Sequence, residues 1–173
     1  MQTRKRETQK VADIVNDAGG KIVGRTKLQK LVYLLEVCGV GEGFEFEYRH
    51  YGPFSEALST AARNAAVIDL IDEEEVSTSW GGLYSIYKSR GSVTPTSDQA
   101  RRQIAKIAVE ADPVELELAA TAVFLKFKGF TDAWKETAKR KPEKSEAGRI
   151  MNARKLYNRL KEVKVPKSLP DLG

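Results

Sequence analysis

The sequence predicts a mainly α fold with a small β component, and three observations carry that prediction. Apolar residues recur at helical spacing through most of the chain. Period-two alternation is confined to short regions. Glycine, proline or a short polar residue stands at most of the changes between them. A length of 173 residues suffices for one large domain or two small ones, with a core that needs no staples. With 41% hydrophobic and 31% charged residues, the composition is that of a globular protein and not of a disordered chain. No apolar run approaches the roughly 20 residues that span a bilayer. The opening MQTRKRETQK carries basic residues with no apolar stretch behind them, so no secretory signal is expected. A single cysteine cannot form an internal disulfide, which fits a cytoplasmic setting.

Thr3 to Ala18 reads as the first helix, with Val11, Ile14, Val15 and Ala18 on one face and Gly19-Gly20 as its stop. Lys21-Ile22-Val23 is a short connector or a single turn of strand. Thr26-Lys27-Leu28-Gln29 fits a capping box, in which Thr26 and Gln29 each satisfy an amide at a helix start. Behind it Leu28, Leu31, Val32 and Leu35 form a stripe that Tyr33 and Leu34 widen. That helix is expected to be buried on more than one side, with Lys27 and Lys30 marking its wet face. Phe44 to Arg49 alternates aromatic and charged residues as a half-buried strand does. Tyr51 to Ser55 reads as a turn launching a helix from about Pro53 to Ala66, with the proline in its first turn.

Val67 to Val76 and Leu83 to Lys88 read as a hairpin with Trp80-Gly81-Gly82 in the connection, and Gly91 to Pro95 as the boundary after it. Beyond that the pattern is helical. Ser97 caps a helix to about Ala111, and Asp112-Pro113 opens another through Leu125. Thr131 caps a short helix that stops before Pro142. Ser145 caps a last one with Ala147, Ile150, Met151, Tyr157 and Leu160 inward. Pro166 and Pro170 keep the tail irregular.

Helix, capped helix, third helix and two-stranded hairpin is the order of a winged helix-turn-helix, with the Phe44–Arg49 strand as an elaboration. The predicted organisation is a winged-helix-like unit over 1–92, a helical segment over 93–165 and an irregular tail over 166–173. The helical segment is expected to pack back on the first unit, because helices of about 10 to 16 residues are marginal alone. The runs TKLQKLVYLL at Thr26–Leu35 and HYGPFS at His50–Ser55 resemble the YwgA-like uncharacterised proteins. They are similar, more distantly, to the Panacea (SocA-like) antitoxin domain, which has an L-Q-K-L-x-Y helix and a Y-G-P turn. The resemblance covers Gly24 to about Asp72, and Leu116 to Leu160 with Lys141-Pro142 matches loosely. It implies toxin neutralisation or adaptor work and brings no catalytic residue. Its marker residues, Leu28, Gln29, Lys30, Leu31, Tyr33, Tyr51, Gly52 and Pro53, are expected to determine the fold.

Candidate chemistry is sparse. Gly19-x4-Gly24-Arg25-Thr26 is one residue from a phosphate-binding loop, but a helix is expected before it and arginine replaces the lysine. Cys38 and His50 are the only cysteine and histidine. Cys38 ends an apolar helix, where an inert buried thiol is the commoner outcome. Asp72 to Glu75 is a run of four acids whose side chains alternate between strand faces, so it reads as edge protection and not as a metal cluster.

Charge is uneven along the chain: 12 Lys/Arg against 13 Asp/Glu from Met1 to Pro95, then 17 against 11 from Thr96 to Gly173. Lys139, Arg140, Lys141, Arg149, Lys155 and Arg159 make a candidate basic face for nucleic-acid phosphates or an acidic protein. The expected function is a non-enzymatic interaction module, antitoxin- or adaptor-like, whose partner is another protein such as a toxin or effector. No cofactor, metal or membrane partner is expected. A DNA-binding winged-helix regulator using the basic C-terminal helix is the alternative, and an enzyme a distant third. The DNA reading is weakened because Arg63 is the only cation on the helix in the recognition position, and because the expected wing is acidic.

Overall fold

Residues 5–173 are described by a computed structural model, and about 50% of it is helical and 14% strand. The elements are α1 (Glu7–Asp17), β1 (Lys21–Val23), α2 (Arg25–Val37), β2 (Glu47–Arg49), β3 (Gly52–Phe54), α3 (Glu56–Val67), β4 (Ile71–Ser77), β5 (Leu83–Ser89), α4 (Gln99–Glu110), α5 (Pro113–Phe127), α6 (Ala133–Arg140) and α7 (Arg149–Lys161). The expected start of the first helix at Thr3 lies outside the described residues. Among these residues no helix is long and apolar enough to cross a membrane.

The helix α2 is the centre of the packing. Every residue from Lys27 to Leu35 is buried, with α3, α4, α5, β1, β3 and β5 around it. The expected wet face is absent. Lys27 Nζ donates to the carbonyls of Val109 (3.0 Å) and Ala111 (2.7 Å), where α4 ends. Lys30 Nζ donates to the Pro53 carbonyl at 2.8 Å. Both lysines bury their methylene stems and carry their charge to backbone acceptors instead of to water.

The capping box at Thr26 does not form. Gly24 stands at the N-cap with φ 99°, and no side chain caps the helix. Gln29 turns away from its own helix to clamp Ser55: its Oε1 accepts from the Ser55 amide at 2.8 Å and its Nε2 donates to the Ser55 carbonyl at 2.9 Å. Ser55, held there, caps α3 through Oγ, which accepts from the Leu58 amide at 3.2 Å. Pro53 is therefore not in the first turn of α3. It belongs to β3 and pairs with Tyr48 in the two-stranded β2–β3 ribbon. The predicted strand from Phe44 is shorter, beginning at Glu47. Glu36 Oε1 accepts the amides of Glu42, Gly43 and Phe44 at 2.9–3.0 Å, so that stretch needs no strand partner.

β1, β5 and β4 form an antiparallel sheet in that order, with Ile22 opposite Tyr87 and Glu75 opposite Ser85. β4 starts at Ile71, because the predicted strand residue Val67 closes α3. In the C-terminal half Asp112 caps α5 as expected, accepting from Val114 and Glu115. Two caps move by one residue, from Ser97 to Asp98 and from Thr131 to Asp132. Ser145 does not cap α7. Its hydroxyl donates to the Lys141 carbonyl at 2.7 Å, and the helix begins after Gly148. Tyr157 and Leu160 point inward, whereas Ala147 and Met151 are exposed.

Side chains from α1–α3 and from α4–α7 share one hydrophobic core. The tail is irregular yet anchored: Leu169 and Leu172 are buried, the Lys167 amide donates to the Cys38 carbonyl at 3.0 Å, and the Tyr157 hydroxyl donates to the Pro170 carbonyl.

Candidate functional site

Lys30 of the first sequence run and the His50–Tyr51 turn of the second are linked through one buried acid and its lysines. Leu28, Gln29, Lys30, Leu31 and Tyr33 are buried on α2, and Gly52 and Pro53 are buried on β3, while Tyr51 is exposed. That acid is Glu117 of α5, which is 3% exposed and close enough to Lys30 to act on its charge. It binds Lys141 Nζ at 3.2 Å and Lys144 Nζ at 2.7 Å. Lys141 also donates to the His50 carbonyl at 3.2 Å, and the Lys144 ammonium lies 4.8 Å from the Tyr51 ring centre. Gly52 is required here: its φ is +90°, and a Cβ would come within 2.4 Å of Thr121 Oγ1. The cluster ties α2, the β2–β3 ribbon, α5 and the segment after α6 together, so it is interior framework.

Burial pulls the Lys30 pKa down to about 8, with Lys141 and Lys144 adding to the fall and Glu117 opposing it. The folded state therefore releases this proton near pH 8, while the unfolded chain holds it to about 10.4. In that window the unfolded state binds more protons, so the Lys30 contribution to stability rises with pH, by up to ~1.4 kcal/mol per unit. Between pH 7.5 and 10 the native chain is expected to gain about 2 kcal/mol relative to Lys30→Met, read from urea midpoints of the two proteins. Losses from buried Cys38 and Tyr33 cancel in that difference. A difference that is flat with pH would refute it.

The other sequence candidates fall apart on geometry. The strand β1 occupies the middle of the Gly19–Thr26 stretch and is paired with β5, so no phosphate loop exists there. Cys38 is fully buried, and burial pushes its thiol up to about 12, the opposite of an activated nucleophile. Among the described residues no three His, Cys, Asp or Glu side chains are grouped to hold a metal ion. The four acids of β4 split between the two faces: Asp72 pairs with Arg90 (3.4 Å) and Glu74 with Lys88 (3.1 Å), while Glu73 and Glu75 both face Arg25.

The six cations of the candidate basic face do not share one face. Lys141 is buried on Glu117. Arg140 pairs with Glu136 at 2.9 Å and lies over the rings of Tyr48 and Phe130. Lys139 is exposed and Arg149 half-buried. Lys155 and Arg159 are exposed on α7, but the shallow groove they line also contains Glu110, Asp112 and Glu115. A phosphate backbone would meet those acids alongside the cations there.

Two open clefts adjoin the Glu73/Glu75 face of the hairpin. A cleft of about 720 Å³ is lined by Gln29, Tyr51, Phe54, Arg63, Val67 and Tyr87 among others. A second, of about 500 Å³, is lined by Val23, Trp80, Leu83, Tyr84 and Pro113 with neighbouring polar residues. Arg25, Thr26 and Glu75 line both. Trp80 is 84% exposed and Leu83 69%. The connection carrying Trp80 is fixed by bonds from the Thr78 amide to the Gly82 carbonyl (2.7 Å) and from the Gly82 amide to Thr78 Oγ1 (2.7 Å). The apolar group is thus presented without a loop that must first be ordered. Between the clefts Arg25 Nη2 stands 3.4 Å from both Glu73 and Glu75, with its side chain 67% exposed. An ion pair this long and this wet contributes about 0–1 kcal/mol.

Sequence reading misses two parts of this picture. Glu117 has a signal, an acid set between Leu116 and Leu118 at the start of the apolar run to Leu125. The exposure of Trp80 and Leu83 has none, because which face of a hairpin is covered depends on the third strand and on α2. Comparison with known proteins found no match: no family model, no curated protein and no solved structure matches this chain.

Proposed function

We propose that this chain is a non-enzymatic protein-interaction module, antitoxin- or adaptor-like, which docks a partner such as a toxin or effector through its β4–β5 hairpin. The reading rests on one observation above the others, the rigidly held and exposed Trp80–Leu83 group beside an open cleft. Contiguous exposed apolar surface rimmed by polar residues marks interaction sites on soluble proteins, and tryptophan is the residue most enriched at their energetic centres. The N-terminal half reads as a winged-helix scaffold, supported by the succession α1, β1, α2, α3, β4, β5, with the β2–β3 ribbon inserted between α2 and α3, and by the strand order β1-β5-β4. In that reading α3 holds the recognition position, and its exposed residues include Glu56, Ala57, Thr60, Asn64 and Val67 with Arg63 as the single cation. The wing carries four acids. Both features disfavour DNA and cost a protein partner nothing. Most of the marker residues make internal ties, while Leu28, Gln29, Lys30 and Tyr51 also line the first cleft, which fits a scaffold whose framework borders a docking surface, as the resemblance to Panacea-type antitoxin domains implies.

The test is co-expression of the full chain with the product of the neighbouring reading frame. The native chain is expected to co-elute with it. Trp80→Ser with Leu83→Ser is expected to weaken the complex at least 30-fold, an interface centre being worth about 2 kcal/mol or more. The melting temperature should hardly move, because exposed substitutions are usually within about 0.5 kcal/mol. Enrichment of one sequence from a random DNA pool, lost on reversing Arg149, Lys155 and Arg159 to Glu, would replace this reading with the DNA-binding one.

A further inference from the structure

On the proposal that the hairpin docks a protein, the structure also indicates the chemistry of the segment it takes. The two clefts are successive parts of one surface. Going along the hairpin, Tyr87 opposes Glu73, Ser85 opposes Glu75 and Leu83 opposes Ser77. These pairs share a sheet face, since side chains two apart in a strand point the same way. Tyr87 lines the first cleft, Ser85 and Leu83 the second, and Arg25 stands over the junction. From Glu73 to Ser77 the strand rise gives about 13 Å, the length of some four residues of extended chain.

The junction holds a cation, Arg25, at long range and with its side chain 67% exposed. Glu73 is largely buried and pre-oriented by Ser85 Oγ, which donates to its Oε2 at 2.8 Å. Arg25 reaches both acids only at 3.4 Å, longer than the 2.7–2.9 Å of a strong charge-assisted bond. Among the described residues no other cation forms an ion pair with Glu73 or Glu75. On either side of the acids the lining includes apolar residues, Phe54, Val67 and Tyr87 at one end and Trp80, Leu83 and Pro113 at the other, with Arg63 and Lys30 in the first cleft and Lys27 in the second.

We propose that the two clefts form one groove that binds an extended segment of the partner carrying a single Arg or Lys between apolar residues, the incoming cation taking Glu73 and Glu75 over from Arg25. Arg25 then swings into solvent, which its exposure permits. The apolar residues of the segment fill the two clefts, and its charge is satisfied by acids already in place. Arg25 acts as an internal competitor that an uncharged segment does not displace.

The probe is a phage-displayed random heptapeptide library panned on the full chain, followed by fluorescence polarisation of the enriched peptides. Enriched sequences should carry one Arg or Lys flanked by aromatic or aliphatic residues. Glu73→Gln with Glu75→Gln should weaken them at least tenfold. Arg25→Ala should tighten them several-fold, a gain that misfolding cannot mimic. Enrichment of acidic or uncharged peptides, or affinity indifferent to both sets of variants, would overturn the proposal. So would a concentration-dependent dimer that Trp80→Ser abolishes, since the groove would then hold a second copy of the chain. If Trp80→Ser with Leu83→Ser disrupts the co-eluting complex while Glu73→Gln with Glu75→Gln leaves it intact, docking at the hairpin stands and the cation exchange falls. If neither pair matters, both fall.

Discussion

Arg101→Ala is expected to lower the unfolding free energy by about 3–5 kcal/mol, the cost of leaving buried carboxylates without their cation. Arg101 enters from α4 and is 5% exposed. Its Nε lies 2.7 Å from Asp17 Oδ2 at the end of α1, and its Nη1 lies 2.6 Å from Glu42 Oε1 in the loop after α2. Asp17 is held further by Thr96, whose amide and hydroxyl donate to it at 2.6 and 2.8 Å. Glu42 has Lys5 as a second partner at 2.8 Å. One guanidinium thus joins α1, the α2–β2 loop and α4, and with them the two halves of the chain. The Asp17 side chain is fully buried, so water cannot replace the lost charge. Adding Asp17→Asn to Arg101→Ala should recover part of the loss, because the acid left uncompensated is then neutral. A double-mutant cycle on urea midpoints reads the coupling, and a coupling near zero would remove the network as a tie between the halves.

The same network sets behaviour in acid. Burial pushes the Glu42 carboxyl up, but hydrogen bonds from Lys5 and Arg101 outweigh it and hold the pKa below the usual carboxylate range. A depressed carboxylate contributes stability that is present above its unfolded value, about 4.3, and is lost as pH falls through the folded value. The native chain should therefore weaken below about pH 4.3, and Arg101→Ala should show a shallower decline there because much of that contribution is already gone.

What the sequence makes legible follows the range of each interaction. The start of α5 is readable because Asp112 and Pro113 act on amides two and three residues away. The stop of α1 at Gly19-Gly20 and the alternating acids of β4 are equally local. Gln29 is not readable, since a glutamine three residues after a threonine satisfies the capping-box pattern, and only the tertiary placement of Ser55 diverts it. Lys27 and Lys30 mislead for the same reason: a lysine spaced off an apolar stripe is usually wet, unless a distant carbonyl meets it. Pro53 suits a first helical turn or an edge strand, and the pairing with Tyr48 that decides between them is a tertiary fact. The basic C-terminal residues show the limit for a surface. Charge counts along the chain give its sign, but Lys141 is consumed by Glu117, and acids from α4 and α5 share the groove with Lys155 and Arg159.

Glu117→Leu is expected to cost another 3–5 kcal/mol, although leucine suits the helix better. The substitution leaves the Lys30 and Lys141 side chains buried, close to one another and without an anion. Two consequences distinguish this from a packing effect. Removing the acid takes away the one influence that raises the Lys30 pKa, so that lysine should titrate still lower than in the native chain. Adding Lys30→Met to Glu117→Leu should then return part of the stability, because one of the two buried lysines left without an anion is removed. The damage should also be local at first. Because Lys30 and Lys141 hold the carbonyls of Pro53 and His50, amide exchange in the β2–β3 ribbon should rise before that of the β1-β5-β4 sheet. If Glu117→Leu costs under 1 kcal/mol, or if Lys30→Met returns none of the loss, the acid is not what holds α2, α5 and the ribbon together.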